Sequence, residues 1–312
     1  MFYKFGANPL GTHDYLDDPR NAEILIDING VHKRRAEATI SVFDSAFMLG
    51  DGVWEGIRLH NGGLAFLDAH LDRLWEGAKT LDFDLGVSKP ELAERIMAVC
   101  KANGMDTGVH IRLMVSRGLK STPYQHPRVT ISGPTIVIIP EWKAAKEETA
   151  TTPLNLHTVH IRRGAPDVQD PSLNTHSKLN CIFACIQADK AGADEALMLD
   201  PQGFVATCNS VHFFIVRKGE IWTSTGDYCL DGITRRNVLE LAHANQIPAL
   251  EKNFSLTDVY NADEAFVTGT FAGVAPVGIV DGRKIGNGQR GKMTTKLQQL
   301  YVDLLDRDVA QV

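Results

Sequence analysis

The chain has 312 residues, 44% of them hydrophobic and 22% charged, with a formal net charge of -6. That length exceeds a typical single domain, so two domains or one large one are expected. No basic block marks a binder of nucleic acid or of a membrane surface, and the longest apolar runs, such as "PTIVIIP" (134–140), are far too short to span a bilayer.

In chain order, residues 1–22 read as irregular, and the N-terminus lacks the apolar core and cleavage pattern of a secretory signal. "AEILIDING" reads as a strand ending at a turn around Asn29-Gly30. "LDAHLDRLWEGAKTLDF" carries Leu67, Leu71, Leu74, Ala78 and Leu81 at helical spacing. A second helix opens at Ser88 with Glu91 as its capping-box partner and Pro90 in the first turn, and stops at Gly104. "HIRLMVSRG" and "TIVIIP" read as strands, and the polar stretch 141–152 as an interdomain linker. Beyond it come strands at "LNLHTVHI" and "EALMLD", a hairpin turning at Lys218-Gly219, and a loop feeding a helix in "DGITRRNVLELAHAN". "EAFVTGTFAGVAPV" reads as a strand followed by a loop, and "TKLQQLYVDLLDRD" as a closing helix. The expected architecture is α+β, with a small domain at 1–140 and a larger one at 153–312.

Several chemistries are disfavoured by motif. "GDGVWEG" (50–56) is a near miss to a dinucleotide fingerprint, without the surrounding strand–turn–helix unit. There is no phosphate loop of the Walker type, no H-E-x-x-H and no G-x-S-x-G elbow. The eleven histidines are scattered, so no metal is expected. The five cysteines form no C-x-x-C pair, and Cys181 and Cys185, one helical turn apart, read as buried thiols; a reducing cytoplasm is expected. Two loops are better candidates. In "LDGITRRN" (230–237) a glycine precedes a helix start, either a plain helix start or, with the N–H groups of Ile233 and Thr234 pointing outward at the positive end of the helix dipole, an anion site. In "VTGTFAGV" (267–274) glycine-flanked Thr270 either sits in a plain turn or offers a hydroxyl and neighbouring N–H groups to another anion. Lys178 leads into a largely apolar stretch, either as a snorkelling lysine or as an amine kept for covalent chemistry.

With Arg73, these features resemble the class IV aminotransferases, pyridoxal-phosphate enzymes of fold type IV that include branched-chain and D-amino-acid aminotransferases and aminodeoxychorismate lyase. The resemblance runs from about Ile24 to Tyr301, carried by "SVFDSAFMLGDGVWEGIRLHNGGLAFLDAHLDRL", the Lys178 segment, "GITR", "EAFVTGT" and "GKMTTKLQQLY". It implies a two-domain fold with a β-barrel-like larger domain, and pyridoxal phosphate held on Lys178 as a Schiff base. Lys178 would also be the base at the substrate Cα. Arg73 would pair with the cofactor phosphate, and Ile233, Thr234 and Thr270 would complete its cup. Substrate would meet Phe47, Leu49, Trp54, His110, Arg112, Phe183 and Phe271. The resemblance also implies a homodimer with its site at the subunit interface, an amino donor and a 2-oxo acid acceptor.

Two departures stand out. Relatives place a glutamate against the cofactor's pyridine nitrogen, but "GFVATCNSVHFF" (203–214) has Thr207 there, and His212 where an asparagine is usual. A carboxylate keeps that nitrogen protonated and the ring a strong electron sink, whereas a hydroxyl can only hydrogen-bond it. Transamination remains the leading reading. The alternatives are a lyase of the aminodeoxychorismate-lyase kind and a cofactor-binding homologue with altered chemistry. The second departure is the longer "VSRGLKSTPYQHPRV" (115–129), in which Arg117, Lys120 and Arg128 are either substrate-carboxylate ligands or solvated loop charges.

Overall fold

The computed structural model describes residues 11–310, which divide into two compact units. The smaller comprises Asp17–Ala144, Leu173–Lys178 and the described residues from Leu305 onward; the larger comprises the described residues up to Leu16, Ala145–Ser172 and Leu179–Leu304. This differs from a division at 140 and 153 in three places. Residues 11–16 belong to the larger unit, whereas 173–178 and 305–310 belong to the smaller one. Each of these segments is recruited by long-range pairing that no local pattern encodes.

The smaller unit contains β1 (Leu25–Ile28), β2 (Val31–Arg34), α1 (Ser45–Leu49), β3 (Gly52–His60), β4 (Gly63–Leu64), α2 (Leu67–Thr80), α3 (Lys89–Ala102), β5 (Val109–Ser116) and β6 (Thr135–Trp142). Its six strands form one antiparallel sheet in the order β2-β1-β6-β5-β3-β4. Alternation sorts each strand into two faces. Val53, Ile57, Leu59, Val109, Ile111, Leu113, Ile136 and Ile138 pack with Leu71, Leu74, Leu92 and Ile96 of α2 and α3 in one core. Burying each of the larger of these side chains contributes about 1.5–3 kcal/mol. Trp54, Arg58, His110, Arg112 and Met114 take the alternate, half-buried positions. The α3 capping box closes as its sequence implies, with Ser88 and Glu91 satisfying each other's backbone N–H groups.

The larger unit contains β7 (Leu154–Thr158), α4 (Pro166–Gln169), α5 (Leu179–Lys190), β8 (Glu195–Leu199), β9 (Val205–Cys208), β10 (His212–Arg217) and β11 (Glu220–Thr223). There follow α6 (Ile233–Ala244), β12 (Ala249–Glu251), α7 (Leu256–Tyr260), β13 (Glu264–Gly269), β14 (Gly273–Val280), β15 (Arg283–Lys284) and α8 (Lys292–Val309), whose last turn counts with the smaller unit. Eight of the nine strands run in the order β12-β11-β10-β13-β14-β7-β8-β9, with β15 on β14. The sheet is mixed, and α5 is the crossover between parallel β7 and β8. It curls so that the Cys208 N–H donates to the Val211 carbonyl, bringing β9 to the start of β10. The β10–β11 hairpin turns on Lys218 and Gly219, both at positive φ, as a tight twisted hairpin requires. The segment "GVAPV" is strand β14 rather than a loop, because it pairs β13 along its whole length. Cys181 is half-buried and Cys185 exposed on α5, so neither is the buried thiol that their spacing suggests.

Candidate active site

Lys178 ends a segment that adds itself to β3. The Trp54 N–H donates to the Asn174 carbonyl (3.0 Å), and the His176 N–H to the Gly52 carbonyl (3.0 Å). The Asn174 amide returns a bond to the Trp54 carbonyl (2.6 Å), while the Trp54 indole N–H donates to the Thr175 carbonyl (3.0 Å). His176 Nε2 lies 2.9 Å from the Val53 carbonyl, and burial pushes its imidazole pKa down despite that bond. Lys178 is thereby half-buried directly before α5, with its ammonium 5.4 Å from the centre of the Trp54 ring. The Arg112 guanidinium stacks on the same ring at 3.8 Å. His110 lies across the sheet from Arg58, and its ring occupies the space that a Cβ on Gly56 would need. Lys178, Trp54, His110 and Arg112 are thus brought together, and Arg112 forms no ion pair with the described residues.

Arg73 sits on α2, half-buried, above Glu55 of β3. Its Nε and Nη2 donate side-on to the two Glu55 oxygens at 2.8 and 2.7 Å. His70, one turn earlier on α2, places Nδ1 2.7 Å from Glu55 Oε2. Burial alone would push the Glu55 carboxyl up; the hydrogen bonds from Arg73 and His70 outweigh it and hold it below the usual range. Burial pushes the His70 imidazole down and outweighs the pull of Glu55, so the ring is neutral and its Nδ1–H is the donor. Neither Glu55 nor His70 stands out in the sequence as a site residue.

In the larger unit, α6 begins at Ile233 after Gly232, which caps no backbone group with a side chain. The first-turn N–H groups of Ile233 and Thr234 therefore keep their capacity for an anion. His212 packs beneath this turn, with Nε2 2.6 Å from the Leu230 carbonyl, so a Cβ on Gly232 would fall 2.3 Å from its Cε1. Thr207 faces the same side of the sheet as Met198, its partner across β8 and β9, and donates its hydroxyl to the Val211 carbonyl at 3.0 Å. Thr270 and Phe271 form the turn between β13 and β14, where Phe271 is buried and stacks on His13.

The loop cations part ways. Arg117 donates to Asp51 through Nε and Nη2 (2.7 and 3.1 Å) and to the carbonyls of Leu81 and Asp82, contacts that anchor its loop. Lys120 is only 1% exposed and cannot act as a solvated loop charge, whereas Arg128 lies exposed in a short 3-10 turn. Phe47, Leu49 and Phe183 are exposed on α1 and α5. Among the described residues no helix is long and apolar enough to cross a membrane, and no cluster of three His, Cys, Asp or Glu could hold a metal.

The smaller unit thus holds an amine near an indole, and the larger unit has a glycine-capped helix start whose first N–H groups suit an anion. A model of the amino-transferase class IV family matches residues 52–280, and the chain belongs to that family. It is 38% identical over 288 residues to the branched-chain-amino-acid aminotransferase-like protein 2 of Arabidopsis thaliana, covering 92% of this chain and 51% of that one. The chain thus spans about half the length of the two Arabidopsis relatives it matches. A D-alanine aminotransferase of Listeria monocytogenes is 30% identical, covering 90% of this chain and 96% of that protein. Among solved structures, the branched-chain aminotransferase from the thermophilic archaeon Thermoproteus uzoniensis with norvaline superposes with a TM-score of 0.83 at 30% identity, covering 92% of this chain and 96% of that one.

Proposed function

We propose that this protein is a pyridoxal-phosphate-dependent aminotransferase that moves an amino group from a small amino acid or amine to a 2-oxo acid, using Lys178. The observation that carries this reading is the fixed amine: a ladder of backbone bonds from residues 174–176 to β3 delivers Lys178 onto Trp54 beside Arg112. An ordinary surface lysine needs no such support. When bound, the cofactor supplies a carbonyl that condenses with the Lys178 amine and a conjugated ring that takes up electron density from the substrate Cα. In the larger unit the uncapped Ile233 and Thr234 N–H groups and the Thr270 hydroxyl have the chemistry to bind a phosphate, and in the smaller unit the Arg73 guanidinium has it too. The Lys178 amine would be the base that moves the proton at the substrate Cα. Arg112 suits a substrate carboxylate, with Trp54 and His110 beside it.

The active form is a homodimer. Phe47 at 69% exposure and Leu179, Ile182 and Phe183 of α5 are large apolar side chains left open to water, which supports a covering second subunit. All five cysteines are unpaired thiols, which supports a reducing cytoplasm.

The test is a pair of half-reactions on purified protein loaded with pyridoxal phosphate. A panel of branched-chain L-amino acids, D-alanine and simple amines should convert the cofactor to its amino form, and a 2-oxo acid should restore it. Lys178→Ala should abolish both. Failure across the whole panel, or pyruvate release without an acceptor, would sink the aminotransferase reading.

A further inference from the structure

We propose that Glu55 and His70 are positioning residues that set the plane of the Arg73 guanidinium for a phosphate. The inference rests on the cofactor reading above and assigns roles that the reading does not contain.

The geometry is specific. Glu55 is fully buried at the centre of β3, an expensive place for a carboxylate unless it is paired and hydrogen-bonded. It accepts three bonds: Arg73 Nε on Oε1, and both Arg73 Nη2 and His70 Nδ1–H on Oε2. Arg73 and His70 are three residues apart on α2, so both descend from one helix face onto the same carboxylate. A planar guanidinium carries five N–H groups in a rigid fork. Glu55 takes one from Nε and one from Nη2, along a single edge. That choice fixes the orientation of the opposite edge, Nη1 with Nη2, which is the end-on fork that matches two phosphate oxygens.

His70 completes the arrangement from the carboxylate side. Its Nε2 has no hydrogen-bond partner among the described residues, so the ring is held in the network by its Nδ1–H bond to Glu55. As a neutral donor it fixes the carboxylate plane without competing with Arg73 for charge. The ordering cost of a long arginine side chain is thereby met when the protein folds rather than when a ligand binds.

The experiment compares titrations of the cofactor-free protein with pyridoxal phosphate and with pyridoxal, which lacks the phosphate, followed by quenching of tryptophan fluorescence. Wild type should prefer pyridoxal phosphate strongly. Glu55→Gln and Glu55→Asp should weaken pyridoxal phosphate by about tenfold or more while pyridoxal changes by less than about threefold, as loss of a charge-assisted contact predicts. His70→Leu should show the same selective loss in smaller degree, and His70→Gln, which restores a donor, should recover it. Combining Glu55→Gln with Arg73→Gln should be no worse than Arg73→Gln alone. General damage to the fold would weaken both ligands equally, and that result, or an unchanged preference in every variant, overturns the proposal. Should the Glu55 variants fail to fold, the His70 pair alone decides it on the same criterion. A wild-type protein that takes up neither compound would instead overturn the cofactor reading itself, and this proposal with it.

Discussion

His212 lies directly beneath Gly232, so close that a Cβ there would fall 2.3 Å from the imidazole Cε1. The ring cannot easily yield, being 8% exposed and bonded through Nε2 to the Leu230 carbonyl. Gly232→Ala should therefore push the turn off its seat, at a cost of about 1–3 kcal/mol. Thermal unfolding should drop by about 2–10 °C for a chain of this size. Cofactor affinity should fall with it, because the displaced turn carries the first N–H groups of α6. An unchanged melting temperature together with unchanged affinity would show that the turn is not seated on His212.

Trp54 serves Lys178 and Arg112 at once, through its ring, and also holds residue 175 through its indole N–H. Trp54→Phe keeps a ring and loses the bond; Trp54→Ala loses both. The expected order in kcat/KM is wild type, then Phe lower by about tenfold, then Ala lower by about a hundredfold, since each step removes roughly 1–2 kcal/mol. Equal activities for the two variants would place the whole effect in the hydrogen bond.

What is legible in the sequence depends on the range of the pairing. Helices α2 and α3 follow from local spacing and a capping box, and the Lys218-Gly219 hairpin from two residues that tolerate positive φ. Strand β3 is hidden: its buried face reads Val53, Glu55, Ile57, Leu59, and an ionisable residue in that series breaks the apolar alternation. The same residue is the one whose burial depends on α2, a partner no local window contains. Arg117 shows the converse difficulty. Its charge and its place after "VS" suggest a substrate ligand, but it pairs with Asp51, far away in sequence, a partner no local window contains. Lys178 is legible as a residue; the ladder that fixes it on β3 is not.

Acid stability should show two separate windows from the Glu55 cluster. The folded pKa of His70 is lowered by burial, so the folded state keeps the ring neutral while the unfolded chain protonates it near ~6.5. Stability from this source is present above about pH 6.5 and declines as pH falls from there toward the folded value. The folded pKa of Glu55 is also lowered, so its contribution is present above the unfolded carboxylate value of about 4.3 and is lost as pH falls through the folded one. Urea midpoints measured from pH 8 to 3 should therefore decline in both ranges. His70→Gln should make only the upper one shallower, leaving the share of His176, whose folded pKa burial also lowers, and an upper slope unchanged in the variant would rule His70 out as a source.

Arg117→Ala should cost stability without touching substrate recognition. The side chain is 11% exposed and joins the Asp51 carboxylate to the carbonyls of Leu81 and Asp82. Removing it strands a partly buried carboxylate and two carbonyls, about 2–4 kcal/mol by the usual cost of such losses. KM for any accepted donor should stay within about threefold of wild type, because no contact of a carboxylate-binding group is lost. A large rise in KM at unchanged stability would return Arg117 to the substrate-binding set.

Thr207 is the residue proposed to face the ring nitrogen. Its hydroxyl proton is spent on the Val211 carbonyl, which also accepts the Cys208 N–H, so the oxygen has only acceptor capacity left for anything else. Thr207→Val should cost about 1 kcal/mol, since Val211 keeps one of its two donors. Thr207→Glu is the informative change. The position is 4% exposed, and an ionised carboxylate there faces the Val211 carbonyl with no donor of its own. Without cofactor the variant should be clearly less stable than wild type. With cofactor bound, a protonated pyridine nitrogen is the donor the carboxylate requires, so the rise in melting temperature on loading should be larger in Thr207→Glu than in wild type, and the absorption spectrum of the loaded protein should shift. Equal rises in both proteins, with superimposable spectra, would mean that Thr207 does not face the ring.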